Sequence, residues 1–310
     1  MGRRPAPDTM SRVDVTDNES PESRDDLRAR QASSFGSQAA AYAEHRPDYA
    51  EAAVGWALEP VSGRDQVRVL DLGAGTGKLT AIIIAGHAEP EPPQPPGRPE
   101  PPGRPQPPGR PEPLEPPGRL SVIAMEPDPA MLAELRSRLP NVTSQPGKAE
   151  DIPLPDASVD AVLCGQAAHW FNMDLALPEI ARVLTPGGVF AGLWNVDDDR
   201  EPWVAGLARE CDASRTLSEW RSSSHSWIAT NRGSAEFEPV EQAEFEHGQM
   251  RTADSMVALI ATHSRQLVMD PVELTQQLER ARAYLRSRPE TARGEFRLPM
   301  MTGVLRSVRK

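Results

Sequence analysis

The stretch Val69-Leu-Asp-Leu-Gly-Ala-Gly-Thr-Gly-Lys78 puts Asp71, Gly73, Gly75 and Gly77 between an apolar run and a helical one. Glycine lets a backbone turn sharply and approach a ligand with no Cβ in the way. A helix starting there offers free N–H groups and a partial positive charge. The dinucleotide fingerprint GxGxxG needs its third glycine where this chain has Lys78. The pattern is GxGxG instead, which suits a ligand without a pyrophosphate whose amino-acid end sits by the loop. An acid at the end of the next strand should then hold ribose hydroxyls. Glu126 closes Val122-Ile-Ala-Met-Glu, and 126 − 77 = 49 residues separate it from the last glycine. The usual separation is about 20. Removing the 31 residues of the proline-rich segment 89–119 leaves 18, so an insertion interrupts an otherwise ordinary unit.

These groups require a strand that ends at the glycines and a second that ends at Glu126. The pattern predicts strands over Gln66–Asp71, Ser121–Met125, Val159–Cys164 and Val189–Trp194, with a short one near Val142. Helices are expected over Gly77–Gly86, Pro129–Leu139 and Asp174–Leu184, with Met131, Leu132, Leu135 and Leu139 at helical spacing. Thr185-Pro-Gly-Gly188 reads as a helix stop and turn. Alternating strands and helices of these lengths imply parallel strands with right-handed crossovers. Further on, the pattern predicts a strand near Val240–Glu246, helices near Ala253–His263 and Pro271–Ser287, and a final hairpin within Phe296–Val308.

Residues 1–30 hold seven acids and six arginines, and residues 89–119 hold 15 of the 33 prolines. Both are expected to be disordered, because neither can bury enough apolar surface to offset ordering entropy. The rest of 31–310 is expected to form one domain. Gly97, Gly103 and Gly109 recur every six residues, which excludes collagen. The segment offers PxxP spacings to a proline-recognition module, but a passive loop is the simpler expectation. A net charge of −11 argues against nucleic acid as a partner. Runs such as Ala81–Gly86 are far shorter than the ~20 residues of a membrane span, so no membrane partner and a cytoplasmic location are expected. Cys164 and Cys211 fit neither a zinc site nor a disulfide framework. Asp197-Asp-Asp199 lacks partnering ligands, so it reads as a solvated helix start, and no metal is expected.

LDLGAGTGKLT, VIAMEPDPAML, GKAEDIPLPDASVDAVLCGQAAHWF and EIARVLTPGGVFAGLW, in that order, resemble a class I S-adenosylmethionine-dependent methyltransferase of the small-molecule, type 11 kind. The resemblance covers about residues 35–195. The QAxHWF element and the preceding Phe35…Tyr42…Arg46-Pro47…Tyr49 pattern are similar to the trans-aconitate methyltransferase-like branch. The fold implied is α/β, doubly wound and Rossmann-like, with a mostly parallel seven-stranded sheet and an antiparallel C-terminal hairpin. The cofactor implied is S-adenosylmethionine. Asp71, Gly73, Gly75 and Gly77 would form the turn beside its methionine part, and Glu126 would accept from the ribose hydroxyls. Pro127 would pack near the adenine, Ala149 and Glu150 would meet its amino edge, and Gln166 would face the methionine moiety.

Methyl transfer from a sulfonium needs alignment and exclusion of water more than activation. A carboxylate acceptor needs no base, whereas a phenol, alcohol or protonated amine does. His169 is the candidate base, and packing of His-Trp-Phe against the next helix is its plain alternative. Tyr42, Arg46, Trp170, Trp220 and Trp227 are the candidate acceptor-pocket residues, Arg46 as a partner for the methionine carboxylate or an acidic acceptor. The expected partner is a small-molecule methyl acceptor. Two other readings stay open: a non-catalytic cofactor-binding interaction protein, and an NAD(P)-dependent oxidoreductase.

Overall fold

The structure is a computed structural model that describes residues 36, 39–86, 120–211, 215–231 and 235–310, without the side chains of 225–231. The N-terminal tail 1–30, Phe35 and the proline segment 89–119 lie outside the described residues. Among the described residues seven strands form one sheet in the order β3-β2-β1-β4-β5-β7-β6. They are β1 (Val67–Leu72), β2 (Leu120–Met125), β3 (Thr143–Gln145), β4 (Val159–Gly165), β5 (Leu184–Asp197), β6 (Glu241–Arg251) and β7 (Phe296–Val308). The pairs among β1 to β5 are parallel, and β7 runs antiparallel to both β5 and β6. β1 and β4 are apolar almost throughout and buried on both faces, as central parallel strands must be.

Helices α1 (Ala39–His45), α2 (Glu51–Leu58), α3 (Lys78–Ala85), α4 (Pro129–Arg138) and α5 (Met173–Val183) belong to the half that the sequence outlined. Asp128 caps α4 by accepting from the Ala130 and Met131 N–H groups, with Pro129 at the first helical position. Beyond β5 come α6 (Pro202–Glu210), α7 (Leu217–Asn231), α8 (Ala253–Ala261), α9 (Ser264–Leu267) and α10 (Pro271–Ser287). Trp203, Val204 and Leu207 of α6 pack with Met256, Val257 and Ile260 of α8 and with Ala281 and Leu285 of α10.

Three expectations need correction. Phe296–Val308 is one continuous strand, and the C-terminal antiparallel pair is β6 with β7. Gly303 lies within β7 under the Trp220 ring, where a Cβ would lie 2.4 Å from ring atoms. Thr185–Gly188 sits inside β5 as an irregularity, with Gly187 at φ +70. β5 also runs past Trp194 to Asp197, because β7 pairs with it as far as Asp197 opposite Met300. The Asp197–Asp199 run therefore ends a strand, and the residue preceding α6 is Glu201. Its members diverge: Asp198 pairs with Arg200 at 2.6 Å, and Asp199 accepts from the Ser218 N–H.

Candidate functional site

The register of β1 on β2 sets Leu72 beside Met125, and the Gly73 and Ala74 N–H groups both donate to the Met125 carbonyl. The glycine turn and Glu126 therefore meet at the carboxyl ends of β1 and β2, next to the β1/β4 junction where the strand order reverses. Glu126 accepts from the Gly75 N–H at 2.8 Å through one oxygen and from the Asp128 N–H at 2.9 Å through the other. Burial raises its pKa above the usual carboxylate range, and these two bonds oppose that shift. At Gly73, φ is +72 and a Cβ would lie 2.7 Å from the Ala167 methyl. At Gly75, φ is +57 and nothing lies within 4 Å of a Cβ position, so its open side faces empty space.

That space is a cavity of about 240 Å³. Gly73, Gly75, Glu126 and Pro127 line one part of it, and Ala149, Glu150 and Gln166 another, as nominated from the sequence. The Glu150 carboxylate accepts from the Asn172 N–H at 2.8 Å. Gln166 holds φ +55, uncommon for a residue with a side chain and found where a site over-determines its backbone. Its side-chain amide donates to the Asn195 carbonyl at 2.7 Å. Apolar Met131, Ala149 and Phe171 suit a flat ring, and Glu126 supplies an acceptor for a diol. The cavity thus fits a nucleoside whose polar tail reaches the glycine turn.

Two nominated residues stand back from this cavity. Asp71 is fully buried and accepts from the Thr80 hydroxyl, leaving its other oxygen unpartnered. Burial pushes its pKa up to about 7. Gly77 precedes α3 with φ +85, and a Cβ there would lie 2.9 Å from Leu139 and 3.1 Å from Leu135. It lets α4 pack against the turn; it does not touch the cavity.

A second cavity, of about 630 Å³, adjoins the first, and Tyr42, Gln166 and Trp170 line both. Arg46, His169 and Trp220 also line it. Trp220 is buried among Val196, Leu217, Met301 and Leu305, so it is core as well as wall. His169 is exposed on the 3-10 turn Ala168–Trp170, with its ring centroid 4.7 Å from that of Trp170. The Trp227 side chain lies outside the described residues. Arg46 is 7% exposed, donates to the Thr262 carbonyl at 2.7 Å and keeps its Nε without a partner. Burial pulls its pKa down to about 10, so it remains cationic at neutral pH.

Sequence reasoning missed Asn195, Arg215 and His263. The Asn195 carbonyl accepts from both Gln166 and Arg215, and its side chain bonds Asp48 and Thr302. Arg215 donates to Nε2 of His263 at 2.6 Å. Asn195 had one usable signal, its place just past an apolar strand run at the ligand-binding edge. Arg215 and His263 had none. Among the described residues no group of three or more His, Cys, Asp or Glu is arranged to hold a metal, and both cysteines are free and buried. No helix among them is long and apolar enough to cross a membrane.

A family profile described as "Methyltransferase domain" matches residues 111–192. An uncharacterized methyltransferase of Mycobacterium tuberculosis is 34% identical over 282 residues, which cover 88% of this chain and 95% of that one. A malonyl-[acyl-carrier protein] O-methyltransferase of Methylococcus capsulatus is 30% identical over 133 residues, 42% of this chain and 38% of that one. A crystal structure described as a methyltransferase from an antibiotic biosynthesis pathway of Anabaena variabilis superposes with a TM-score of 0.52 at 19% identity. It covers 84% of this chain and 98% of its own, and it shares the fold.

Proposed function

The chain belongs to the S-adenosylmethionine-dependent methyltransferases, and from that premise we propose that it methylates a small anionic acceptor, a carboxylate, seated in the larger cavity. The observation that carries this reading is the shared wall of Tyr42, Gln166 and Trp170 between a nucleoside-sized cavity and a roomier one. Family membership also removes the nicotinamide alternative.

S-adenosylmethionine, when bound, supplies a methyl already activated on a sulfonium. The protein's own work is to bind, orient and keep water out, and placement of this kind is worth roughly 7–11 kcal/mol. Glu126 would accept from the ribose hydroxyls with its remaining lone pairs, and Pro127, Met131 and Ala149 would flank the base. Gln166, fixed by its strained backbone and its bond to Asn195, would hold the border between the cavities. Trp170 and Tyr42 would restrict water there. An ionised carboxylate acceptor attacks without losing a proton, so on this reading His169 is wall. For a hydroxyl or amine acceptor, His169 lines the cavity and could take the proton.

Calorimetric titration with S-adenosylmethionine tests the cofactor half. Glu126→Gln should weaken binding ten- to a hundredfold, since a charged hydrogen bond is worth about 1.5–3 kcal/mol. No heat with the parent chain would sink the reading. Incubation with methyl-labelled cofactor and cell extract tests the other half, with a labelled small carboxylate ester as the expected product.

A further inference from the structure

Arg46 and Arg215 reach the larger cavity from opposite ends of the chain, one following α1 and the other preceding α7. Among the described residues neither has an acid within ion-pair distance. Asp197 acts on both from further off, but it also serves Arg251. Glu219 lines the same cavity yet is solvent-exposed. Two guanidinium groups and one carboxylate, that of Glu219, therefore line the cavity. Arg46 is buried and Arg215 half-buried; keeping a guanidinium from water without an acid beside it is expensive, and a protein sustains it where an anion completes the set.

Arg215 is also aimed. A guanidinium does not give up its proton, so Nε2 of His263 must accept, and the imidazole is neutral with its hydrogen on Nδ1. Burial, with Arg215 and Arg46 nearby, holds the His263 pKa well below the usual range. This bond and the one to the Asn195 carbonyl occupy two of the five guanidinium N–H groups and leave three free. Trp170, Trp194 and Trp220 with Val196 and Leu305 supply apolar lining to the same cavity.

We propose that Arg215 selects the acceptor: its free N–H groups hold the carboxylate of a molecule whose apolar body lies against Trp170, Trp194 and Trp220. His263 is the positioning residue that aims it. Arg46 and Arg215 both border the small cleft with Tyr49, Lys78 and Gln166; Arg46, buried and bound to Thr262, is left for the cofactor's own carboxylate. This inference rests on the proposed function, and its failure can be told apart from failure of that reading.

The experiment uses the full chain saturated with S-adenosylhomocysteine, and the quench of tryptophan fluorescence reports binding in the larger cavity. Benzoate, cinnamate and hexanoate are each compared with their primary amides. In the parent at least one carboxylate should bind about tenfold or more tighter than its amide, the discrimination a charge-assisted bond gives. Arg215→Gln should abolish that preference and leave the affinity for S-adenosylhomocysteine within about twofold. Equal binding of every acid and its amide by the parent would overturn the proposal, as would an undiminished preference in Arg215→Gln. If Arg215→Gln weakens S-adenosylhomocysteine instead, Arg215 serves the cofactor and the proposal is wrong. Tighter binding of phenyl phosphate than of any carboxylate would overturn the assignment to carboxylates. Failure of the parent to bind S-adenosylhomocysteine at all would fell the cofactor reading first, and this inference with it.

Discussion

At the scale of single residues, two glycines of one motif separate binding from packing. Gly75 and Gly77 are both left-handed, so any side chain at either strains the backbone, by about 1–2 kcal/mol. A methyl at Gly75 meets no protein atom and enters the cavity, whereas one at Gly77 meets Leu139 and Leu135. Gly75→Ala should therefore cost about 1 kcal/mol of stability and weaken S-adenosylmethionine binding more than tenfold. Gly77→Ala should lower the melting temperature further and leave affinity nearly unchanged. Melting curves and calorimetry on the pair decide this, and equal affinity losses in both variants would contradict it. Spacing identified the glycines together. It could not divide their roles, because that depends on which neighbour stands opposite each Cα.

At the scale of elements, the site depends on staples at the far end of the sheet. Asp160 near the start of β4 accepts from the Arg68 N–H of β1 at 2.8 Å, from Arg64 and from the Thr185 hydroxyl of β5. Burial raises its pKa, but these bonds outweigh burial and hold it below the usual carboxylate value. A depressed carboxylate stabilises the fold fully above its unfolded pKa of about 3.9, and that stability is lost as pH falls through the folded value. Asp160→Ala should cost about 2 kcal/mol at pH 7 by denaturant midpoint, with the gap to the parent narrowing below about pH 4. A gap that widens in acid would refute the assignment. The strand was legible as an apolar run. The staple was not, since an acid flanked by Val159 and Ala161 carries no mark of its partners.

At the scale of the whole chain, the proline segment stands in the sequence between α3 and β2. Deleting residues 89–119 restores the ordinary 18-residue spacing from Gly77 to Glu126. The shortened chain should melt within a few degrees of the parent and bind S-adenosylmethionine equally well; a tenfold loss would give the segment a part in the site. The sequence alone determined the frame of the smaller cavity: the glycine turn, Glu126, and the parallel strands and helices that hold them. Those features are local, written as hydrophobic period and short spacings. Only the tertiary structure assembled the larger cavity, for which the sequence had nominated Tyr42, Arg46, His169, Trp170 and Trp220 singly. It brings Tyr42, Arg46, Asn195, Arg215, Trp220 and Leu305 around one cavity, because β7 carries β5 past the end of β4. It also ties α1 back to the end of α8 through Arg46. An arginine's default reading in sequence is solvated surface, and only burial without an acid beside it reveals another purpose.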